Sequence, residues 1–157
     1  MHRLLNLLSP IPFPAAFQRA FGRINAAWLR ATHGRGPLTS GALVLTTRGR
    51  RSGKERSTVL LHFDLNSGRY VVASFAGVDQ PPAWYLNLLA NPHVSVEIRG
   101  VCSSHLARVL SGDEAAAMWP RLDAAYPGFV HYRARTSRII PIVELIPETV
   151  KGSAPAR

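Results

Sequence analysis

Between Arg48 and Arg56 five basic side chains, Arg48, Arg50, Arg51, Lys54 and Arg56, crowd around Gly49, Ser52 and Gly53, with Ser57 and Thr58 following. This is the composition of a seat for an anion. Glycine lets the backbone approach a ligand closely, successive turn N–H groups point into one concavity, and the arginine fork matches phosphate oxygens two at a time. A phosphate or polycarboxylate ligand is expected. The segment is not a P-loop, because no Gly-Lys-Ser/Thr opens a following helix; Val59-Leu60-Leu61-His62-Phe63 reads instead as a strand. The same residues also suit a solvated basic hairpin turn, and the segment alone does not separate the two readings.

Other residue types that do chemistry are less tellingly placed. His2, His33, His62, His93, His105 and His131 show no His-x-His or His-Glu-x-x-His spacing, which argues against a metal site. No Gly-x-Ser-x-Gly elbow and no Gly-x-Gly-x-x-Gly turn is present. Cys102, the single cysteine, can close no intrachain disulfide, which fits a cytoplasmic location; on its predicted strand it reads as a small buried hydrophobe.

The elements that must hold these residues follow from periodicity. Phe13, Phe17, Phe21, Ile24, Trp28 and Leu29 recur every three or four residues with Arg19, Arg23 and Arg30 between them, an amphipathic helix within residues 1–40. It either faces the core or lies peripherally on an anionic membrane surface. Strands are predicted over Ala42–Thr47, Thr58–Asp64, Arg69–Ser74, His93–Arg99, Val101–Leu110 and Ile139–Ile146, the last apolar enough to be buried on both faces. Pro82–Asn91 reads as a short helix, and Ser111 with Glu114 forms a capping box opening a second helix toward Tyr126. Six strands in hairpins with two inserted helices argue for an antiparallel barrel or sandwich over residues 41–147, with 148–157 a flexible tail. No stretch is long and apolar enough to span a membrane.

Of 157 residues, the first 58 carry ten Lys or Arg against one acid, net +9, out of a whole-chain charge of +10. The positive field therefore belongs to the front of the chain, the basic turn included. It favours an acidic small ligand, an anionic membrane or nucleic acid. Nucleic acid ranks last, because no exposed aromatics are interleaved near the basic turn as a stacking platform requires.

Four stretches in order resemble the deazaflavin-dependent nitroreductase family: Thr46-Thr47-Arg48-Gly49-Arg50-Arg51-Ser52-Gly53, Val71-Val72-Ala73-Ser74, Pro82-Ala83-Trp84-Tyr85-Leu86-Asn87-Leu88 with Ala90-Asn91-Pro92, and Arg138-Ile139-Ile140-Pro141-Ile142-Val143. The resemblance implies a mainly β, FMN-binding-like split β-barrel that binds coenzyme F-420 in preference to FMN, as a monomer or homodimer. It implies that Arg50, Arg51, Ser52, Gly53 and Arg56 hold the acidic phosphate tail, with Arg51 where the family often has Lys. Thr58, Leu60, Ser74, Phe75, Ala76 and Gly77 would line the deazaflavin, and Pro82, Trp84, Asn87 and Leu88 would close its pocket. A Trp and a Leu on a short helix are, in the absence of such motifs, more often core. Asn87 is more telling, since a buried amide must find partners.

The implied chemistry is hydride transfer to an electrophilic acceptor, with Ser74, Tyr126 and Tyr132 as candidate proton donors. Tyr126 and Tyr132 match a family Tyr-x-x-Tyr-x-x-Tyr stretch whose middle position is Phe129 here. Leu61 replaces a further tyrosine, Val59 a proline, and Phe75 a Lys or Asn. A greasier cavity is implied, favouring quinone-like or enone acceptors over nitro compounds. A non-catalytic carrier of apolar ligands on the same barrel is the alternative; the retained phosphate seat speaks against it.

Overall fold

The computed structural model describes residues 41–66 and 68–148. The expected N-terminal amphipathic helix and the tail beyond Glu148 lie outside the described residues. Within them, β-branched and aromatic runs broken by glycine turns form β1 (Ala42–Arg48), β2 (Glu55–Leu65), β3 (Gly68–Val72), β4 (His93–Ile98), β5 (Val101–Val109) and β6 (Ile142–Pro147). Every neighbouring pair is antiparallel, and the sheet closes on itself in the order β1-β2-β3-β6-β5-β4. The fold is a closed barrel, not a sandwich. Arg99 and Gly100, both at positive φ (51° and 80°), make the two-residue turn whose twist suits the β4–β5 hairpin.

One face of each strand fills the barrel. Leu43, Leu45, Val71, Ala73, Val94, Val96, Ala107, Val143 and Leu145 form that core, and Trp84 and Leu88 of α1 (Ala83–Ala90) join it. α1 starts at Pro82, whose fixed φ suits a helix start and whose carbonyl accepts from the Tyr85 and Leu86 amides.

A second core lies on the outside of the barrel. There α2 (Gly112–Ala125) and α3 (Gly128–Ala134) place Met118, Leu122 and Phe129 against Tyr70, Val72, Ile140 and Ile142. The capping box is present: the Ser111 hydroxyl accepts from the Glu114 amide at 3.4 Å, and the Glu114 carboxylate accepts from the Ser111 amide at 2.8 Å. α3 is absent from the sequence expectation, which stops at Tyr126. Arg133 fastens it to α2, donating to Asp123 at 2.7 and 2.8 Å while its guanidinium lies 4.0 Å from the centre of the Trp119 ring.

Three further expectations need correction. β3 stops at Val72, because Phe75 and Ala76 turn the chain at positive φ. β6 starts at Ile142, since Pro141 has no amide to donate, and Ile139 is 89% exposed. Its burial is also one-sided at the far end, where Ile146 and Pro147 are exposed beyond the reach of the outer helices. Cys102 is exposed, not buried: it faces outward opposite Glu97, where no described helix covers the sheet.

Candidate functional site

The basic segment is the β1–β2 hairpin. Its loop is tightened by Gly49 and Lys54, with the Gly49 amide donating to the Lys54 carbonyl at 2.8 Å and the Gly53 amide to the Gly49 carbonyl at 2.7 Å. A side chain at position 49 would meet Ser52 Oγ at 2.7 Å and the Lys54 carbonyl at 3.1 Å, and Gly53 sits at φ +65°, so glycine is favoured at both positions. Arg51, Ser52, Gly53 and Arg56 are exposed here. The Arg51 and Ser52 amides at the tip donate to no group among the described residues. These donors and guanidinium groups suit the acidic tail of the implied coenzyme.

Asn87 explains how the hairpin is held. From α1, its side-chain carbonyl accepts from the Arg50 amide at 3.2 Å and from Arg50 Nη1 at 3.3 Å, while its Nδ2 donates to Thr47 Oγ1 at 3.2 Å. Asn87 is 5% exposed, and both its side-chain oxygen and its nitrogen have partners. Thr47 in turn donates to the Arg56 carbonyl at 3.4 Å, so helix, β1 and β2 meet at one polar knot under the basic loop.

From that loop β2 leads to a cleft. The cleft has a volume of about 190 Å³ and is lined by Val59, Leu60, Leu61, Val72, Ser74, Ala76, Tyr126, Phe129 and Tyr132. It lies between the barrel's outer surface and α3. Leu60 is four residues beyond Arg56, roughly 13 Å along an extended strand. One strand thus links a cationic hairpin to a mostly apolar cavity.

One wall of the cleft is the turn after β3. Phe75, Ala76 and Gly77 have φ of 44°, 53° and 77°, three successive residues in the left-handed region. A side chain at 77 would come within 2.6 Å of the Tyr132 carbonyl, so glycine alone allows this turn to lie against α3. Arg138 braces it, with Nε donating to the Val78 carbonyl at 2.8 Å and Nη2 to the Ser74 and Ala73 carbonyls at 2.8 and 3.1 Å. Burial pushes the Arg138 pKa down, with Asp79 and Tyr85 partly opposing. Thr136 adds a second tie, donating to Asp79 at 2.7 Å.

The other wall is α3 and its approach. Tyr126 and Tyr132 hydroxyls meet at 3.1 Å. Between them Phe129 is 4% exposed and packs edge-on with Tyr126, Trp119 and Phe63 at centroid distances of 4.9, 5.9 and 5.5 Å. It forms the cleft's apolar floor.

The structure gathers Leu60, Ser74, Ala76, Tyr126 and Tyr132 in the cleft and Arg50, Arg51, Ser52, Gly53 and Arg56 at the hairpin. Thr58 sits between them on the strand, opposite Leu45 on the barrel-facing side. Phe75 and Gly77 belong to the turn without lining the cleft, Pro82 caps α1, and Trp84 and Leu88 belong to the barrel core. Sequence reading missed Arg138, Thr136 and Asp79 as a brace. No spacing rule could join residues 60 positions apart.

The family model for F420H2-dependent quinone reductases matches residues 21–147. A protein of Mycobacterium tuberculosis strain H37Rv, provisionally named an F420H2-dependent quinone reductase, is 38% identical over 105 residues, covering 67% of this chain and 88% of its own. A solved F420-H2 dependent reductase is 35% identical with a TM-score of 0.60, covering 67% of this chain and 93% of its own. Another solved chain, described as a domain-swapped dimer, is 32% identical with a TM-score of 0.62, covering 78% of this chain and 94% of its own.

Proposed function

The chain belongs to the F420H2-dependent quinone reductase family, and from that membership and the cleft we propose its reaction and the role of each site residue. It is an oxidoreductase using coenzyme F-420, with quinone-like compounds as acceptors. The observation that carries this reading is the single strand joining a cationic hairpin to an apolar cleft edged by hydroxyls. When bound, the reduced coenzyme supplies a hydride.

The chain's own residues do the rest. Arg51 and Arg56, with Arg50 and the Ser52 and Gly53 backbone, bind the acidic tail; Asn87 orients them through Arg50. Ser74, Ala76 and the adjoining Phe75 and Gly77 form the seat for the ring, backed by Thr58, Leu60 and the Pro82, Trp84 and Leu88 side of α1. Val59, Leu61 and Phe129 keep water from the acceptor, which suits a flat, apolar quinone. Hydride arrival leaves an oxyanion, and the Tyr126–Tyr132 pair or Ser74 delivers the proton it needs. A 32% identical domain-swapped dimer supports the homodimer among the expected assembly states.

Fluorescence titration of coenzyme F-420 against wild type and an Arg51→Ala, Arg56→Ala double variant tests the hairpin. Affinity should fall by about 1.5–3 kcal/mol per lost charge-assisted hydrogen bond, and wild-type binding should weaken as salt is raised. Equal affinity in the double variant would remove the seat from this hairpin.

A further inference from the structure

The turn that carries Ser74 and Ala76 has little to hold it by itself. Its three left-handed residues retain only two internal hydrogen bonds, Gly77 amide to Ser74 carbonyl at 2.9 Å and Val78 amide to Phe75 carbonyl at 3.1 Å. Such a conformation persists only when its surroundings over-determine it. Arg138 supplies that determination. Its planar fork takes three carbonyls of the turn at once, a geometry that an ammonium group cannot reproduce. The anchoring chain is itself fixed: the Arg138 amide donates to Thr136 Oγ1 at 3.2 Å, and Thr136 donates to Asp79 at the turn's far end. That chain continues directly from α3, whose Tyr132 carbonyl touches Gly77. The two walls of the cleft are thus tied together through Arg138 and Thr136.

The tie leaves a residue of unspent bonding capacity. Arg138 Nη1 is buried and donates to nothing among the described residues. Burial disfavours the guanidinium's charge, and the three carbonyls of the turn offset that cost by accepting from it.

We propose that Arg138 is a positioning residue for the reduction: it fixes the Ser74–Val78 turn against α3 and thereby sets the separation of the ring seat from the tyrosine hydroxyls. The role rests on the reductase reading above. Arg138 acts through the turn's backbone and not on the acceptor.

Two variants and two kinds of measurement test this. Arg138→Lys keeps the charge and loses the fork; Arg138→Ala opens space that free guanidinium can fill. In both, amide hydrogen exchange at Gly77 and Val78 in the ligand-free protein should accelerate while barrel amides stay protected. Stopped-flow oxidation of reduced F-420 by the soluble quinone menadione should slow by about 10²-fold, the cost of a misplacement of roughly 1 Å. Coenzyme affinity, set at the hairpin, should change far less. Millimolar guanidinium should restore part of the rate in Arg138→Ala and none in Arg138→Lys. Wild-type exchange and rate in both variants would overturn the proposal, as would a rate loss that tracks the unfolded fraction and ignores guanidinium. If wild type oxidises no reduced coenzyme with any quinone, the reductase reading fails instead, and the exchange measurement alone decides whether Arg138 holds the turn.

Discussion

At the scale of single residues, the two tyrosine hydroxyls of the cleft share one hydrogen bond. Between oxygens 3.1 Å apart a single proton occupies the hydrogen bond, so one phenol donates to its neighbour. Tyr132→Phe removes one oxygen and keeps the ring that packs on Phe129 at 6.2 Å. Turnover with a quinone should fall by on the order of 10², within the range for a positioned general acid, while F-420 affinity holds. Steady-state rates with menadione beside a coenzyme titration measure both. An unchanged rate would take Tyr132 off the proton path and leave Tyr126, Ser74 or water to supply the proton.

At the scale of elements, the polar knot around Asn87 joins α1 to the barrel. Asn87→Ala deletes the acceptor for Arg50, which is exposed and can turn to water, and the donor to the buried Thr47, at about 1–3 kcal/mol for the buried group left short of a partner. Thermal unfolding should show the loss, and coenzyme binding should weaken because the hairpin is no longer aimed. Much of this scale was legible beforehand. Strand alternation, the Pro82 start of α1 and the Ser111–Glu114 capping box are local signals, and local physics realises them. Asn87 was legible because an amide in an apolar helix demands partners, although the sequence does not name Thr47 or Arg50. α3 was missed although Tyr126, Phe129 and Tyr132 carry a three-residue period; Pro127 and Gly128 masked its start. Cys102 misled because a strand's period does not tell which face a helix will cover.

At the scale of the whole molecule, charge and closure act together. Arg108 on β5 donates to Glu144 of β6 at 2.7 and 3.0 Å and to Glu114 of α2 at 2.8 and 3.0 Å, fastening the outer helices to the barrel. The Ser111 amide and Arg108 hold the Glu114 pKa down at about 2 from an ordinary 4.5. A depressed carboxylate pKa means that the stability it confers is complete above pH 4.5 and disappears as pH falls through about 2. The stability difference between wild type and Glu114→Gln should therefore be constant above that window and shrink within it. Acid titrations of unfolding midpoints for the two proteins measure this; a difference that persists to the lowest pH would refute the linkage.

Closure of the barrel also orders events in time. The seam between β3 and β6 sets Tyr70 opposite Glu144, and the brace on the Ser74–Val78 turn comes from Arg138, far along the chain. A ribosome must therefore release β6 before the sheet can meet itself. Until then β3 presents an unpaired edge, able to pair with a neighbouring chain as readily as with its own. Pairings of such long range are slow to form. Val72 and Ser74, at the end of β3, line the cleft, so that wall is set only once β6 has paired along the β3 edge and Arg138 has reached the turn.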